Sequence, residues 1–589
     1  MRRRRILSSM ALAVALIVSA TSALAVDPNG FTTEQDPMLD DVMEGIEIAP
    51  ILTVGDELPN GYRFEAIPDG ISVRVGTGAQ IELFVNHETS KVPFPFNTAA
   101  PTEANGESDF DNAQVSLLTL DPDGSVLDGS FVIPSSEGFQ RFCSNYLATA
   151  AEGFDRDILF TNEESPDYVF RQEDSWPPPI GDPAEEENGL VVALDVESGE
   201  LHLIYGMGRH NHENAVPIPG FDKLVVLSGD DTFTSGSLTI PAGGPLPAGS
   251  RPAQSQLFSY MAGNTNNLLA DKGNLFAFVS DDPNVSDYYD FTPGSTAEVS
   301  GRFIKVPKNI ATGLNKDGTE IKAADVGYPL PPTDGSWQRD LRSVATATTP
   351  QIGIDGPQWV LEYWSQLNNV FQFVRVEDLA YDKRPGMQNV VYVVDSGRGT
   401  AGDPQAGRST NGRVWRMELD PDNPRNVDSL SVFVEGDDQS VKTLNEVHQP
   451  DNIETTETGL LLTEDPGSSQ QFILADQGLP NATTARLWYV PFSGSPEVVA
   501  KVDQSADGVA GTDVDGRPNG NWGAWETSGI VDASAAFGEG AFLIDVQAHT
   551  LWVDRAPGED TFIDAETVNP DFTYKREGGQ LLLIRIPGI

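Results

Sequence analysis

Short apolar runs that end in polar side chains recur along the whole chain. Each run is about five to seven residues long, rich in β-branched and aromatic residues, and closes on acidic or amide side chains. This pattern predicts buried strands that deliver a polar tip to one edge of a sheet. The runs are LFVNHE, ILFTNEES, LVVLSGDD, LFAFVSDD, VVYVVDSG, LLLTEDPG and FLIDVQ.

Several of these strands have a second acidic or amide cluster upstream, at a distance that fits a hairpin. Glu213 precedes Asp230 by 17 residues, and Glu377 precedes Asp395 by 18. A strand, a tight turn and a returning strand fill that interval. Because such a repeated unit cannot bury its faces alone, we predict an all-β fold, a β-propeller of six or seven blades with long loop insertions. The run LFAFVSDD either starts a blade or shares one with its predecessor.

Turn formers and insertions complete the prediction of the fold. The chain has 56 glycines and 42 prolines, and no long amphipathic helical pattern stands out after its N-terminal segment. Two Pro/Gly-rich stretches, Ser235 to Gln254 and Thr319 to Gln351, predict long loops between strands. No change in composition marks a second domain, so residues 46–589 are expected to form a single propeller.

The N-terminus predicts export. A basic cap and an apolar run end in Ala23-Leu24-Ala25, a small-residue cleavage signature, so residues 1–25 are expected to be a signal peptide and residues 26–45 a leader segment. Arg3 to Leu7 also fits a twin-arginine signal, although four consecutive arginines produce that match by chance. We expect a secreted or periplasmic protein with no membrane anchor after processing.

The strong net negative charge of the chain excludes two classes of binding partner. The chain has 37 basic and 88 acidic residues, a formal net charge of −51. Such a surface repels nucleic acid and anionic lipid, so neither is an expected partner. The 39% of hydrophobic residues nevertheless indicates a globular chain rather than a disordered acidic tail.

Clustered carboxylates predict a metal site if the polar strand tips converge. Carboxylate and amide oxygens suit calcium, whereas a thiolate among them suits iron better. The alternative is that the acidic tips only form turns. His210 and His212 would share one face of a strand, either as a surface pair or as ligands. Cys143, the only cysteine, is a buried small hydrophobe, an intermolecular link or a ligand.

Five motifs in this order resemble the PhoX family of secreted bacterial alkaline phosphatases. They are LFTNEES, GRHNHENAVPI, LSGDD, RVEDLAYD and PDN, and the resemblance runs from about Phe84 to Asp545. It implies a six-bladed propeller whose mouth holds a cluster of iron (Fe3+) and calcium, and which hydrolyses phosphate monoesters. In this family the cysteine stands immediately before the paired glutamates, where this chain has Asn162.

The resemblance also assigns roles to single residues. Glu213 and Glu377 would be carboxylate ligands of iron, and Cys143 would supply the thiolate. Arg375 would contact the phosphate oxygens, although a salt bridge to Glu377 and Asp378 is an alternative role. The calcium ligands would come from Glu163 or Glu164, from Asp230 or Asp231, and from Asp451 with Asn452.

The sequence contains no motif of a serine hydrolase or of a nucleotide-binding enzyme, and it allows two functions other than a phosphatase. The chain has no Gly-x-Ser-x-Gly elbow, Walker A motif or Rossmann glycine pattern. A calcium-dependent propeller esterase or lactonase would use the same acids without needing Cys143 or Arg375. A calcium-stabilised extracellular binding propeller would need no catalysis. The first choice remains a monomeric phosphatase that acts on a small phosphate ester.

Overall fold

The structure is a computed structural model. It describes residues 30–65, 67–76, 80–88, 113–165, 168–169, 186–232, 237–251, 254–337, 353–397, 411–437, 445–465, 483–503, 525–553 and 574–589. The predicted signal peptide lies outside these ranges. Among the described residues, no helix combines the length and the apolar character needed to cross a membrane.

Antiparallel strands form most of the described chain. The first half contains β1 (Leu39–Asp41), β2 (Glu47–Thr53), β3 (Pro68–Val75), β4 (Ile81–His87), β5 (Gln114–Leu120), β6 (Val126–Ile133), β7 (Phe142–Ala148), β8 (Ile158–Glu163), β9 (Tyr168–Val169), β10 (Glu186–Glu187), β11 (Val191–Asp195), β12 (Glu200–Ile204), β13 (His212–Ile218), β14 (Leu224–Asp230), β15 (Leu238–Ile240), β16 (Gly249–Arg251), β17 (Leu257–Ala262), β18 (Asn274–Ser280) and β19 (Glu298–Lys305). The second half contains β20 (Val376–Tyr381), β21 (Val390–Asp395), β22 (Arg413–Leu419), β23 (Asn426–Glu435), β24 (Pro450–Thr455), β25 (Gly459–Glu464), β26 (Arg486–Pro491), β27 (Glu497–Val502), β28 (Glu526–Asp532), β29 (Ala541–Val553) and β30 (Tyr574–Arg585).

The strands are arranged radially around a channel. The inner strands β3, β7, β13, β20, β24 and β28 contact one another in that order, and β28 contacts β3 to close the ring. Four of the ring positions are separate sheets, β3–β6, β7-β8-β11-β12, β24–β27 with β1, and β28–β30 with β2. The other two positions share one nine-stranded sheet, which is continuous from β13 to β20 because β19 pairs with β23. The propeller is confirmed, but its blades are not six separate sheets.

N-terminal strands complete two C-terminal sheets. β1 pairs with β27, and β2 pairs with β30. The ring is therefore closed by strands from opposite ends of the chain. Because β1 lies within residues 26–45, the predicted leader segment contributes to the propeller, and the folded unit begins earlier than residue 46.

All seven apolar runs form strands, and LFAFVSDD shares a sheet with its predecessor. It is β18, which lies two strands beyond β14 in the nine-stranded sheet. The first predicted insertion contains a small hairpin, β15 with β16. The described part of the second contains α3, one of five short helices in the ranges that the structure describes. These are α1 (Thr265–Leu269), α2 (Lys308–Thr312), α3 (Ala323–Val326), α4 (Pro357–Leu367) and α5 (Ser534–Phe537).

Helix α4 was missed by the sequence analysis. Ten of its eleven residues are buried, and even the polar stripe of Gln358, Glu362, Ser365 and Gln366 faces protein rather than water, so this short helix does not resemble an amphipathic surface helix. Val360, Leu361 and Trp364 pack into the core between the β7 and β13 sheets. Two further clusters likewise lie between neighbouring sheets, where apolar strand residues fill the space between blades. A third is enclosed by strands of the nine-stranded sheet itself.

Each inner strand contains a β-bulge near its first residue. In β3, for example, Pro68 pairs with His87 and Ile71 with Val85, so that Asp69 and Gly70 together face one residue of β4. A bulge redirects side chains and is common beside functional sites. The same irregularity occurs in β7, β13, β20, β24 and β28.

Candidate metal centre

The bulges place one side chain per inner strand at the same end of the channel, which we call the mouth. At the mouth the inner strands begin and their hairpin partners end. The first residue of each bulge forms what we call the bulge ring. Its members are Asp69, Cys143, Glu213, Glu377, Asp451 and Ser528.

Three overlapping groups of ligand-type atoms follow the bulge ring. In each group, one ligand atom from every member lies within 4.8 Å of the others. The groups are Asp69, Glu88 and Cys143; Cys143, Glu164 and Glu213; and Glu213, Glu377 and Asp451. Because Cys143 and Glu213 each belong to two groups, the seven residues form one continuous cluster. It contains six carboxylates and one thiol.

The residue that follows each hairpin partner forms a second ring at the mouth. Its backbone N–H donates to the carbonyl oxygen of the residue two positions before the bulge ring. The bonds are Glu88 to Ile67 (3.2 Å), Glu164 to Arg141 (3.0 Å), Asp231 to Asn211 (3.0 Å), Ser396 to Arg375 (3.0 Å) and Asp465 to Gln449 (3.0 Å). These repeated bonds explain why Glu88 and Glu164 reach the cluster, although neither lies on an inner strand.

The acid pairs Glu163-Glu164 and Asp230-Asp231 each end an apolar run, and the first acid of each pair binds backbone N–H groups instead of joining the cluster. Glu163 accepts hydrogen bonds from the backbone N–H groups of Gln140 and Leu190, both at 3.2 Å. Asp230 accepts the N–H of Asn211 at 3.2 Å. These carboxylates satisfy backbone donors and belong to none of the three groups. Of the two acids predicted as alternatives, Glu164 rather than Glu163 therefore joins the cluster. In the other pair, Asp230 is a backbone acceptor.

Glu464, at the end of β25, is the most connected of these backbone acceptors and gives a stability prediction. It is fully buried and accepts from the N–H groups of His448 and Arg486, the Arg486 guanidinium and the Trp488 indole. Glu464→Ala should lower the free energy of unfolding by about 3–5 kcal/mol, because it leaves a buried guanidinium without its carboxylate. Urea unfolding measures this loss. Glu457→Ala, at an exposed position, is the control, and equal effects of the two changes would contradict the assigned role.

Burial and mutual repulsion make the cluster costly to ionise. Burial raises the pKa of Glu213 well above its usual value, and repulsion from Glu377 raises it further. The same causes raise the pKa of Glu164, next to Glu213, and of Asp451, next to Glu377. For Glu377 itself, burial also raises the pKa, but the Arg375 guanidinium opposes the rise. A bound cation would offset this cost by holding the carboxylates ionised.

Cys143 lies between the carboxylates rather than in an apolar core. Its Sγ donates a hydrogen bond to Asp69 Oδ2 at 2.7 Å. Although part of this side chain reaches the channel, the surrounding protein and the Asp69 carboxylate raise the pKa of the thiol well above its usual value. The register places Cys143 and Ser144 opposite Asn162. The thiol therefore stands across the same hairpin from the position where the PhoX family keeps its cysteine.

The donor set fits a mixed metal centre. Glu213 Oε2 is buried and has no hydrogen-bond partner among the described residues, although its other oxygen accepts from Ser144 Oγ at 2.8 Å. The group of Glu213, Glu377 and Asp451 offers only oxygen, which suits calcium. The groups that contain Cys143 add sulfur, which suits iron.

Arg375 lies beside the cluster and is held by an acid from the neighbouring hairpin. Its Nε and one terminal nitrogen donate to the two oxygens of Asp231, at 2.7 and 2.6 Å. A terminal nitrogen is also 3.2 Å from Glu377 Oε1. Burial alone would lower the pKa of the guanidinium, but Asp231 and Glu377 raise it, so Arg375 stays charged. One fifth of the side chain is exposed. Asp231 is thus the partner of Arg375, and Asp378 instead accepts from Asn214.

Three further predicted residues do not belong to the three groups. Asn452, the second bulge residue of β24, donates to Ser144 Oγ at 3.0 Å and accepts from Ser528 Oγ at 3.1 Å. His210 and His212 share one face, as expected, with ring centroids 3.5 Å apart. They are buried, so the surface-pair alternative is wrong. Burial lowers the pKa of His212 to about 3.

Sequence reasoning missed three acids at the mouth. Asp69 and Glu88 belong to the cluster. Glu526 precedes the β28 bulge, and burial followed by repulsion from Asp465 raises its pKa well above the usual value. Each occupies a position that repeats in every hairpin. Glu88 ends the run LFVNHE, so the run itself marks this acid, whereas Asp69 and Glu526 are placed by bulges that the apolar pattern does not show.

Comparisons with known proteins leave the family of this chain open. No family model matches the chain, and no curated protein sequence matches it either. Among solved structures, the crystal structure of the tricorn protease aligns with 72% of this chain, at 9% sequence identity and a TM-score of 0.25. The chain spans about 30% of the length of that protease.

Proposed function

We propose that this protein is a secreted metal-dependent phosphatase that hydrolyses phosphate monoesters at the mouth of the propeller. One observation carries the proposal: six carboxylates and the only thiol of the chain meet around one channel end, with a guanidinium beside them. The PhoX resemblance of the sequence agrees with this arrangement. A phosphate ester is an anion, and a strongly acidic protein needs local positive charge to bind it.

The seven cluster residues would hold the cations. Cys143 with Asp69, Glu88, Glu164 and Glu213 would hold iron, and Glu213, Glu377 and Asp451 would hold calcium. These ligand sets differ from the roles that the resemblance implies, which give Glu377 to iron and Glu163 or Glu164 to calcium. When bound, such cations would act as Lewis acids on the phosphoryl oxygens and would lower the pKa of a water molecule. With water activated in this way, the reaction needs no serine nucleophile.

The residues of the chain would bind and orient the ester. Asp231 fixes the Arg375 guanidinium through two parallel hydrogen bonds, which leaves the remaining terminal nitrogen available toward the mouth. That nitrogen forms a long ion pair with Asp465 Oδ2, at 3.9 Å and without a hydrogen bond, so an anion would compete with Asp465 for it. Ser396 Oγ donates to Glu377 Oε1, which holds that carboxylate next to Arg375. Arg375 is thereby oriented before an anion arrives, which reduces the entropic cost of binding.

Metal content separates this proposal from a calcium-only propeller. We expect the purified protein to contain iron as well as calcium, because Cys143 supplies a soft ligand within the cluster. Cys143→Ser should lose iron and keep calcium, since the oxygen-only group does not include this residue. Elemental analysis of both proteins measures the difference. Calcium alone in the wild-type protein would contradict the iron site and favour a calcium-dependent esterase, lactonase or binding protein.

Activity is tested directly with a generic phosphate monoester. The wild-type protein should release phosphate, and a chelator should stop the release. Restoring the metals to the chelated protein should restore activity, which distinguishes loss of cations from unfolding. Absence of turnover by a protein that contains both metals would overturn the proposed function.

A further inference from the structure

Asn211 occupies the same position in its hairpin as Arg375 does in the next one along the ring. The Asn211 N–H donates to Asp230 Oδ1 at 3.2 Å, and the Arg375 N–H donates to Asp395 Oδ1 at 3.0 Å. Their carbonyl oxygens accept the N–H groups of Asp231 and Ser396, both at 3.0 Å. Each residue lies two positions before a bulge-ring glutamate. The backbone therefore presents the two side chains at the mouth in equivalent ways.

The side chain of Asn211 has no partner in the structure. The residue is fully buried, and neither its amide nitrogen nor its amide oxygen makes a hydrogen bond to any described group. Buried amides are almost always hydrogen-bonded in folded proteins. The rings of His210 and His212 lie on one face of this extended segment, with centroids 3.5 Å apart, so the alternating Asn211 and Glu213 side chains leave from the other face. Glu213 belongs to the cluster. An unpaired amide on this face is available to a ligand.

The neighbourhood of Asn211 favours an anion. Arg375 binds both oxygens of Asp231, and the N–H of Asp231 bonds to the Asn211 carbonyl. The guanidinium is therefore held against the hairpin that carries Asn211. A charged guanidinium attracts phosphate or carboxylate oxygens.

We propose that the Asn211 amide donates a hydrogen bond to an oxygen of the same anion that Arg375 contacts, so that the two residues form one phosphate-binding site. The inference rests on the proposed function for its ligand class. The Asn211 amide and the Arg375 guanidinium would donate to the anion from two adjacent hairpins. Two donor groups fix the orientation of a tetrahedral anion more tightly than one guanidinium does. Asn211 would then be a substrate-contacting residue and not a metal ligand.

The test measures binding of inorganic phosphate to the metal-loaded protein by calorimetry, together with metal content. Asn211→Ala should weaken phosphate binding about tenfold, as expected for loss of one hydrogen bond to a charged group. Asn211→Asp should weaken it by about 100-fold or more, because a carboxylate replaces a donor by a repelling charge. Both variants should keep their metals. Asn266→Ala, at an exposed position of α1 between β17 and β18, is the control and should bind phosphate like the wild type.

Two outcomes would overturn the inference. Unchanged phosphate affinity in Asn211→Ala would remove the residue from the anion site. Loss of metal in Asn211→Ala, with retention in Asn211→Asp, would make Asn211 a cation ligand through its oxygen. Failure of the proposed function looks different: the wild-type protein would bind phosphate with the predicted dependence on Asn211 and yet hydrolyse no ester.

Discussion

Arg375→Ala should lower turnover of a phosphate monoester by about 100-fold or more, while the metals stay bound. The expected loss corresponds to about 2.7 kcal/mol or more of transition-state stabilisation, which is typical for removal of a charge-assisted donor from an enclosed site. Arg375 contributes no ligand atom to the cluster, so the cations should remain. Steady-state kinetics with elemental analysis of the same sample provide the measurement.

The pair with Asp231 requires a second variant, because Arg375→Ala also leaves a buried carboxylate without its partner. Asp231→Asn breaks the same ion pair but keeps the guanidinium at the mouth. If Arg375 binds substrate, Asp231→Asn should lose much less activity than Arg375→Ala, and the double variant should remain as inactive as Arg375→Ala. If Arg375 only stabilises the fold, the two single variants should lose stability and activity alike, and the double variant should recover both.

The fold was predictable because it depends on a local, repeated signal. Apolar runs such as LVVLSGDD and VVYVVDSG form strands that are buried on both faces, and the acids upstream mark the start of several inner strands. The continuous nine-stranded sheet was not predictable. It depends on pairing between β19 and β23, two outer strands that are more than a hundred residues apart and carry no pattern that specifies this contact.

The chemistry of individual acids was harder to predict than their convergence. Where an apolar run beside an inner strand ends in two acids, as with Glu163 and Glu164, the first accepts hydrogen bonds from backbone N–H groups and the second lies at the mouth. Both are carboxylates after an apolar run, so composition cannot separate them. What separates them is the register, which makes Glu163 pair with the first residue of β7 and sends the following residue to the channel.

Bulges explain the remaining differences between prediction and structure. Asp69 follows a proline and precedes a glycine, which reads as an ordinary turn in the sequence. The structure instead places it at the first position of the β3 bulge, equivalent to Glu213 and Glu377. An extra residue shifts the alternation of a strand with one buried face, but the inner strands are buried on both faces around their bulges, so hydrophobic periodicity does not reveal them.

Removing the cations should destabilise the protein strongly, because the buried carboxylates of the cluster then repel one another without a compensating positive charge. Ions present at about 1,000 times their dissociation constant contribute about 4 kcal/mol per independent site, and that contribution is lost on chelation. Denaturant unfolding with and without a chelator measures the loss. In Glu213→Gln, chelation should lower the free energy of unfolding by less than in the wild type, because Glu213 belongs to two of the three groups and its loss should weaken cation binding. Glu497→Gln, at an exposed position on β27, should leave the effect of chelation unchanged.

The size of this loss should increase with pH. In the cation-free protein, burial raises the pKa values of Glu164, Glu213, Glu377 and Asp451 above those of the unfolded chain. The folded state then binds more protons than the unfolded state, so its stability falls as pH rises from about 4 through the raised pKa values. Bound cations hold the same carboxylates ionised, and protons compete with them only on acidification. The stabilities of the loaded and stripped proteins should therefore approach each other near about pH 5 and separate toward about pH 8. A gap that stayed constant over this range would mean that the cluster carboxylates are not the groups that hold the cations.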